Sequence, residues 1–361
     1  MIRTFIDLER LKNPYCGLGQ LCKSLGPALA DNKPADMDFT FFIPKHAADM
    51  FNHDVTFNIV HAMKKSHFHL GRFLFPVKYD IWHVTHQDST YFPFFYKGII
   101  LLTIHDLNFL RTKSAKKTRK RVNRLQRKID MASHIATGSE FVKNEILSIF
   151  DLQDKKISVI YNGVDLETDL SPQAPDIPAG EFIFSIGQVV EKKNFDCLVD
   201  MMKYLPDLNL VIAGSNQTDY ASLIIKKAKE LDVEAQVHLI GTVSDSERLW
   251  LYRNCKALAF PSLAEGFGIP PLEAMSTGKP VFLSTATSLP EVAGEHAYYW
   301  HTFEPETMAN VFTNGLEDFE NHPERKQLAI NHANSFNWDN SAKQYIKLYA
   351  ELAASKPNLT T

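Results

Sequence analysis

The stretch KALAFPSLAEGFGIPPLEAMSTGKPVFLST (256–285) contains two short apolar runs that flank a segment rich in glycine and proline. The flanking runs, KALAFPS and KPVFLST, do not alternate with polar residues, which is typical of strands covered on both faces of a sheet. Pro271 suits the first turn of a helix and Gly278 suits the position just beyond its end, so the segment predicts a helix over about 271–277. A strand, a helix and a second strand in this order predict a parallel β–α–β unit.

Apolar runs of the same kind recur along the chain, each followed by a turn and a helical pattern. Besides the two above, they are RTFIDL (3–8), DFTFFIP (38–44), YDIWHVT (79–85), GIILLTI (98–104), HIATGS (134–139), ISVIYNG (157–163), EFIFSIG (181–187), NLVIAGS (209–215) and VHLIGTV (237–243). Strands that alternate with helices throughout predict an α/β fold with doubly wound parallel sheets.

The proline-rich stretch DLSPQAPDIPAGE (169–181) interrupts this alternation. Prolines in a small, polar setting do not suit the interior of a strand or helix, so residues 169–180 are predicted to be a linker. It separates a first α/β domain (1–168) from a second (181–335), and residues 336–361 are predicted to form a closing helix and a tail. Two such domains leave a cleft, and open α/β sheets bind ligands beyond the carboxyl ends of their strands.

Composition places the chain among soluble globular proteins of two domains. Of its 361 residues, 45% are hydrophobic and 22% charged, and the formal net charge of −3 does not predict a polyanionic partner. The four cysteines show no CxxC spacing, which argues against a disulfide framework or a zinc site. The first residues lack the apolar core of a signal peptide, and no apolar run is long enough to span a membrane. We expect a cytoplasmic protein.

Two carboxylates flank the glycine-rich turn of the opening stretch. Glu265 is predicted in the loop after the strand and Glu273 in the first turn of the following helix, both near the strand's carboxyl end. Carboxylates accept hydrogen bonds from paired hydroxyls of a sugar or ribose, and the N–H groups of residues 266–269 with the helix dipole suit a phosphate. The alternative is that Glu273 merely complements the helix dipole and Glu265 is solvated.

The stretch FPSLAEGFGIPPLEAM (260–275) resembles the E-x7-E signature of retaining, GT-B-fold glycosyltransferases of family 4 (glycosyltransferase group 1), which use nucleotide sugars. The resemblance implies two Rossmann-like doubly wound domains that face each other across a cleft. The resemblance covers nearly all of the second domain but only scattered points of residues 1–150. Further matching segments, in the family's order, are GLGQL (17–21), TIHDL (103–107), VIYNGVD (159–165), SIGQVVEKKNF (185–195), LVIAGS (210–215), LIGTVSDSERLWLYRNC (239–255) and SLPEVAG (288–294).

The resemblance also implies roles for individual residues. Lys193 would neutralise the departing diphosphate, His105 would hydrogen-bond the donor sugar, and Glu265 would bind that sugar; these three are the candidate catalytic residues. The candidate donor-binding residues are Gly17, Gly19, Gln188, Lys192, Val243, Gly266, Phe267, Gly268, Ile269 and Glu273. Gln188 stands where the family often has an arginine, so Lys192 substitutes for that cation or the leaving group is less well neutralised. The alternatives are two solvated lysines, a packing role for His105, and a plain tight turn at Gly17 and Gly19.

The basic stretch RTKSAKKTRKRVNRLQRK (111–128) contains no acidic residue. On a helix, Val122, Leu125 and Ile129 would face the core. The exposed cations then fit three interpretations: a solvated surface, attachment to anionic bilayer lipids, or capture of a lipid-diphosphate acceptor. Nucleic acid is disfavoured, because no aromatic interleaving or recognised module accompanies the charge. The segment HVTHQD (83–88) contains His83, His86 and Asp88 but no further spaced ligands, so an acceptor-side role is favoured over a metal.

These observations predict a metal-independent, retaining hexosyltransferase without a cofactor. It would move a hexose, with mannose ahead of other sugars, from a nucleotide-diphosphate sugar to an acceptor hydroxyl. Its partners would be that donor and a glycan or lipid-linked acceptor in surface-polysaccharide or glycolipid assembly. The alternative, which Gln188 keeps open, is a non-catalytic GT-B-fold protein that binds a glycan or a partner.

Overall fold

The computed structural model describes residues 1–13, 17–51, 58–61, 79–112, 114–164 and 170–355. The chain forms two compact units. The first comprises Met1–Gly163 together with Asn337–Thr361, and the second comprises Val164–Phe336.

The first unit is built on a parallel sheet of seven strands in the order β3-β2-β1-β4-β5-β6-β7. The strand order reverses direction between β1 and β4, which defines a topological switch point. The strands are β1 (Ile2–Asp7), β2 (Met37–Ile43), β3 (Asn58–His61), β4 (Ile81–Val84), β5 (Ile99–Ile104), β6 (His134–Thr137) and β7 (Ile157–Val159). The helices between them are α1 (Gly17–Asp31), α2 (Phe109–Thr112), α3 (Ala115–Met131) and α4 (Glu140–Ile149).

The second unit has a parallel sheet of six strands in the order β10-β9-β8-β11-β12-β13. Its switch point lies between β8 and β11. The strands are β8 (Phe182–Ile186), β9 (Asn209–Ala213), β10 (Val237–Gly241), β11 (Ala257–Phe260), β12 (Val281–Ser284) and β13 (Tyr298–Trp300). The helices are α5 (Asp196–Met202), α6 (Asp219–Glu230), α7 (Asp245–Asn254), α8 (Ile269–Ser276), α9 (Leu289–Ala293), α10 (Pro305–Asn321) and α11 (Glu324–Ser335).

Both faces of the second sheet are covered, as the unbroken apolar runs predicted. Phe184 packs into one buried apolar cluster and its neighbour Ile183 into another, because successive side chains of a strand point to opposite faces. The doubly wound α/β prediction is therefore confirmed. Asp169, where the predicted linker starts, lies outside the described residues. Residues 170–180 contain no helix or strand, and Leu170 and Ile177 pack against the core of the second unit.

The last helix, α12 (Trp338–Ala354), belongs to the first unit although it follows the second in sequence. Its buried face includes Tyr345, Leu348, Tyr349 and Leu352, and the predicted closing helix is present. The hydroxyl of Tyr349 lies 2.7 Å from Nδ1 of His83 on β4. Asn337, just before the helix, accepts a hydrogen bond from the N–H of Asn340 and caps it.

Helices α4 and α7 each begin with a side-chain cap. The Ser139 hydroxyl accepts the N–H of Val142 at 3.2 Å at the start of α4. Ser244 accepts the N–H of Glu247 at 3.2 Å while the Glu247 carboxylate accepts the N–H of Ser244 at 2.8 Å, which is a complete capping box for α7. None of the helices in the described ranges is both long and apolar enough to cross a bilayer.

Candidate active site

The loop after β11 leads into α8, and local sequence defines both ends of this helix. The helix begins at Ile269, two residues before the predicted start, because Pro270 and Pro271 occupy first-turn positions whose N–H groups need no intrahelical acceptor. Glu273 therefore lies in the second turn, and its predicted first-turn position was wrong. At the other end Gly278 has φ +75° and donates to the carbonyl of Met275, so its predicted position just beyond the helix is confirmed.

Glu265 and Lys193 form a buried ion pair beyond the strand ends of the second sheet. The Lys193 ammonium lies 2.5 Å from Oε1 of Glu265, and the Ser262 hydroxyl donates to the same oxygen at 2.6 Å. Lys193 is 9% exposed, and its Nζ lies 4.5 Å from the centre of the Phe260 ring. The alternative of solvated side chains is thus excluded for both members of the pair.

Opposing effects act on the pKa of each partner. Burial, the largest single effect, acts to raise the pKa of Glu265, but the ammonium groups of Lys193 and Lys192 and the hydrogen bonds from Lys193 and Ser262 together hold the pKa below its usual value. Burial lowers the pKa of Lys193, and the Glu265 carboxylate opposes this shift. The pair is therefore a carboxylate and an ammonium held in contact away from bulk water. Such a cation interacts strongly with any further negative charge placed beside it.

A short 3₁₀ turn, Glu191–Lys193, positions the lysine. The carbonyl of Lys192 accepts the N–H of Leu263 at 2.8 Å, which ties this turn to the loop that carries Glu265. Gly187, at the end of β8, has φ +144°, and a Cβ there would lie 2.9 Å from Cε of Lys193. Gly187 thus leaves room for the lysine side chain. Gln188 is exposed, and Lys192 is partly exposed.

Glu273 is held by two residues of α7 that were not predicted from the sequence. Its Oε1 lies 2.6 Å from Nη1 of Arg248, and its Oε2 accepts the Tyr252 hydroxyl at 2.6 Å. Arg248 and Tyr252 are four residues apart, so they lie on one face of the helix. That spacing within LIGTVSDSERLWLYRNC is the signal that could have identified them.

The other candidate residues of the second unit form or adjoin its core. Phe267 is 5% exposed, and Val243 and Ile269 pack against the same apolar cluster. Gly268 has φ +110° and caps α8, while Gly266 is half-buried. The Ser288 hydroxyl donates to the carbonyl of Phe267 at 2.9 Å and fixes the shape of the loop. In this segment, therefore, a ligand would meet the main chain more readily than the apolar side chains.

His105 lies directly after β5 in the first unit and is 9% exposed. Its Nε2 donates to the carbonyl of Thr85 at 2.7 Å, and its N–H donates to Oε1 of Gln87 at 3.1 Å. Burial lowers the pKa of His105, so the ring is neutral at physiological pH. With the proton on Nε2, the Nδ1 atom is a hydrogen-bond acceptor and has no partner among the described residues.

Gly17 and Gly19 lie within the first turn of α1, whose described part begins at Gly17. The plain tight turn considered for Gly17 and Gly19 is therefore not observed, because both residues are helical. A helix start accounts for the glycines equally well, because the first N–H groups of a helix have no intrahelical acceptor. A Cβ at Gly17 would meet no atom within 4 Å, so the backbone there is open to a ligand.

The histidines of HVTHQD are bound inside the first unit. His83 is fully buried, with Nδ1 2.7 Å from the Tyr349 hydroxyl and Nε2 2.8 Å from that of Thr103. Nε2 of His86 lies 3.2 Å from Oε1 of Glu9. No cluster of three candidate metal ligands occurs in the part of the chain that the structure describes. His83 has no ring nitrogen left for an acceptor substrate.

The buried carboxyl of Asp7, at the end of β1, predicts a pH-dependent stability. Burial raises the pKa of Asp7 to about 6, although the Ser89 hydroxyl donates to it at 2.5 Å. The folded state therefore retains a proton that the unfolded chain releases near pH 4. The resulting stability is present below that pH and is lost as the pH rises through 6, by up to about 3 kcal/mol.

We expect Asp7→Asn to remove this dependence. The difference in Tm between pH 5 and pH 7.5, measured by circular dichroism, should shrink in the variant. The exposed Asp207→Asn change is the control and should leave the difference as in the wild type. An unchanged difference in Asp7→Asn would show that Asp7 is already ionised at pH 5.

Two family models match the chain. The one described as glycosyl transferases group 1 matches residues 169–336, and the one described as glycosyltransferase family 4 matches residues 40–168. Similar curated proteins include the serotype-specific mannosyltransferase WbdA of Escherichia coli (28% identical over 232 residues) and the O-antigen chain mannosyltransferase RfbU of Salmonella typhimurium (27% over 216 residues). The matches cover 62% and 60% of this chain, and the chain spans 28% and 59% of the length of these two relatives.

Solved structures share the fold over nearly the whole chain. Anabaena HepE in complex with UDP-glucose has a TM-score of 0.73 at 16% identity and covers 97% of this chain and 100% of its own. Sucrose-phosphate synthase from Thermosynechococcus elongatus has a TM-score of 0.72 at 16% identity, with 99% and 100% covered. At these identities the likeness shows the fold, which is GT-B with two Rossmann-like doubly wound domains.

Proposed function

The chain belongs to the group 1 glycosyltransferases of family 4, and we propose that it transfers a hexose from a nucleotide-diphosphate sugar to an acceptor hydroxyl with retention of configuration. The observation that carries the proposal is the buried Lys193–Glu265 pair at the strand ends of the second sheet. An ammonium held there in a low-dielectric environment can stabilise the charge that develops on a leaving diphosphate. No metal is needed for this role.

In the proposed reaction, the bond between the sugar C1 and the diphosphate oxygen breaks while the acceptor oxygen bonds to C1 on the same face. The proton of the acceptor hydroxyl passes to an oxygen of the departing diphosphate, so no side-chain nucleophile is required. Lys193 stabilises the negative charge, assisted by Lys192. Glu265 and the main-chain N–H groups of residues 266–269 bind the donor sugar, while Glu273 accepts hydrogen bonds from ribose hydroxyls.

Other candidate residues keep the roles that the family resemblance implies. Nδ1 of His105 accepts a hydrogen bond from a sugar hydroxyl, and the N–H groups at Gly17 and Gly19 donate to the diphosphate. The main chain near Val243 contacts the nucleobase. Gln188 donates a neutral hydrogen bond where a cation would otherwise lie.

We propose a mannose donor, in surface-polysaccharide or glycolipid assembly. The support is that similar proteins at 26–28% identity are named mannosyltransferases, two of them of O-antigen chains. GDP-mannose, UDP-glucose, UDP-galactose and free nucleotides should be compared by differential scanning fluorimetry. A ligand at 100 times its Kd stabilises by about 2.7 kcal/mol, which raises the apparent Tm by about 5 °C.

Turnover separates the enzyme from a non-catalytic binding protein. Purified protein should release the nucleoside diphosphate slowly from its donor without an acceptor, and EDTA should not change the rate. A donor that raises Tm without any release would favour the non-catalytic alternative. The anomeric configuration of the product, read by NMR, tests retention.

We also propose that the exposed face of α3 contacts an anionic bilayer. Leu125 and Ile129 are buried and Val122 packs against the core, so the predicted inner face of the helix is confirmed. The opposite face carries cations that are exposed and have no ion-pair partner among the described residues. They are Lys116, Arg119, Lys120, Arg124 and Arg127, at spacings of three and four residues along one stripe of the helix.

Replacing four cations of this face should weaken membrane binding on the order of 1,000-fold, at about 1 kcal/mol for each cation. The variant is K116Q/R119Q/K120Q/R124Q, and the measurement is co-sedimentation with phosphatidylglycerol–phosphatidylcholine vesicles at two salt concentrations. The control variant K203Q/K226Q/K229Q/K347Q replaces four other exposed lysines. It has the same net charge as the first variant, but it should bind the vesicles as the wild type does. Equal loss in both variants, or no vesicle binding by the wild type, would leave the face as a solvated surface. Binding that needs a polyprenyl diphosphate in neutral vesicles would instead indicate the acceptor site.

A further inference from the structure

A carboxylate, a guanidinium and a phenol meet between α7 and α8 of the second unit. Glu273 is 4% exposed, and among the described residues each of its oxygens has one partner, Nη1 of Arg248 on Oε1 and the Tyr252 hydroxyl on Oε2, both at 2.6 Å. The Nη2 atom of Arg248 lies 3.1 Å from Oδ1 of Asp245. Arg248 is thereby held at both ends of its guanidinium fork. Burial of an ionised carboxylate is costly unless it is paired in this way.

The Glu273 carboxylate has hydrogen-bond acceptor positions that Arg248 and Tyr252 do not fill. An ionised carboxylate offers about four lone-pair directions, two on each oxygen. Arg248 and Tyr252 occupy one on each oxygen, which leaves one acceptor position per oxygen. Two neighbouring hydroxyls of a ribose need two adjacent acceptor positions, which is the number that remains on this carboxylate.

We propose that Arg248 is a positioning residue that makes Glu273 selective for ribose, and thus for ribonucleotide donors. The inference rests on the proposed function, in which Glu273 accepts ribose hydroxyls. Arg248 fixes the rotation of the carboxylate, and Tyr252 supports it from the second oxygen. Without Arg248 the carboxylate turns toward other donors or toward water, and the two acceptor positions no longer coincide with the ribose diol.

A purely structural role would give a different result. A salt bridge that does no more than join α7 to α8 would change stability, and nucleotides with and without ribose hydroxyls would lose affinity equally. Selectivity between the two kinds of nucleotide is therefore the informative quantity. It compares two ligands on the same variant, so a general loss of folded protein cancels.

The experiment is isothermal titration calorimetry of GDP and UDP, each against its 2′,3′-dideoxy analogue. Wild-type protein should prefer the ribose form of its better nucleotide by about tenfold or more, because hydrogen bonds to a charged group are the strong ones. In Arg248→Gln this preference should fall below about threefold, mainly through weaker binding of the ribose form. Arg253→Gln is the matched control, since Arg253 is exposed on the same helix; it should keep the wild-type preference.

Each outcome decides one hypothesis. If the wild type does not distinguish the two forms, the ribose role of Glu273 and that part of the proposed function are wrong. If the wild type distinguishes them and Arg248→Gln does so equally, the inference about Arg248 is overturned while the proposed function stands. Should Arg248→Gln fail to fold, Arg248→Lys decides instead, because a lysine keeps the charge but cannot bridge Glu273 and Asp245 with a planar fork. Retained selectivity in Arg248→Lys would then overturn the proposal.

Discussion

Lys193→Ala should lower kcat by about 10²- to 10³-fold, while the KM for the donor changes by less than about tenfold. The ammonium is buried and 2.5 Å from Glu265, so it acts where water screens little. Negative charge on the diphosphate grows as the bond to the sugar breaks, so the cation interacts more strongly with the transition state than with the bound donor. Steady-state kinetics with the donor identified by the fluorimetry panel provide the measurement.

The kinetic test of Lys193→Ala needs a control for the loss of a positive charge and a check of folding. Lys203→Ala removes an exposed lysine from the same unit and should leave both constants unchanged. Lys193→Ala also leaves the Glu265 carboxylate buried without its cation, so Tm should fall, and assays belong well below that Tm. A variant that raises KM while preserving kcat would show that Lys193 binds the ground state, and its proposed catalytic role would be wrong.

The sequence predicted the interior of both sheets but not all of their edges. All eleven apolar runs contain strands, because a strand between two neighbours with helices on both faces must be apolar throughout. The two strands that it missed, β3 and β13, each form the outermost strand of a sheet. An edge strand has one neighbouring strand, so its residues are less completely buried. In β13, Tyr298 and Tyr299 are partly exposed, so the run YYW carries no clear burial pattern.

The sequence predicted several residues of the candidate site but not which of its residues contact one another. The family resemblance supplied Lys193, Glu265 and Glu273, yet the first two are 72 residues apart in sequence, and their direct contact depends on how β8 and β11 lie side by side. Arg248 was missed for the same reason. A lone arginine on a helix is usually a surface residue, and only the packing of α7 against α8 brings it to Glu273.

Gly214→Ala should lower the unfolding free energy of the second unit by more than about 3 kcal/mol. Gly214 follows β9 with φ +138°, a conformation that side chains rarely adopt, and its added Cβ would lie 1.9 Å from the carbonyl oxygen of Gly187. Because that neighbour is main chain, no rotamer change can relieve the clash. Chemical denaturation measured by fluorescence gives the change in stability.

Gly241→Ala is the matched control for backbone strain alone. Gly241 also has a positive φ, +76°, but its Cβ would meet no atom within 4 Å, so the change should cost about 1 kcal/mol. Equal losses in the two variants would show that the close approach of Gly214 to Gly187 does not constrain the fold. If Gly214→Ala loses more stability than Gly241→Ala, its turnover should also fall. Gly187 borders the Lys193 side chain, so a shift of the Gly187 backbone changes the space available to the ammonium.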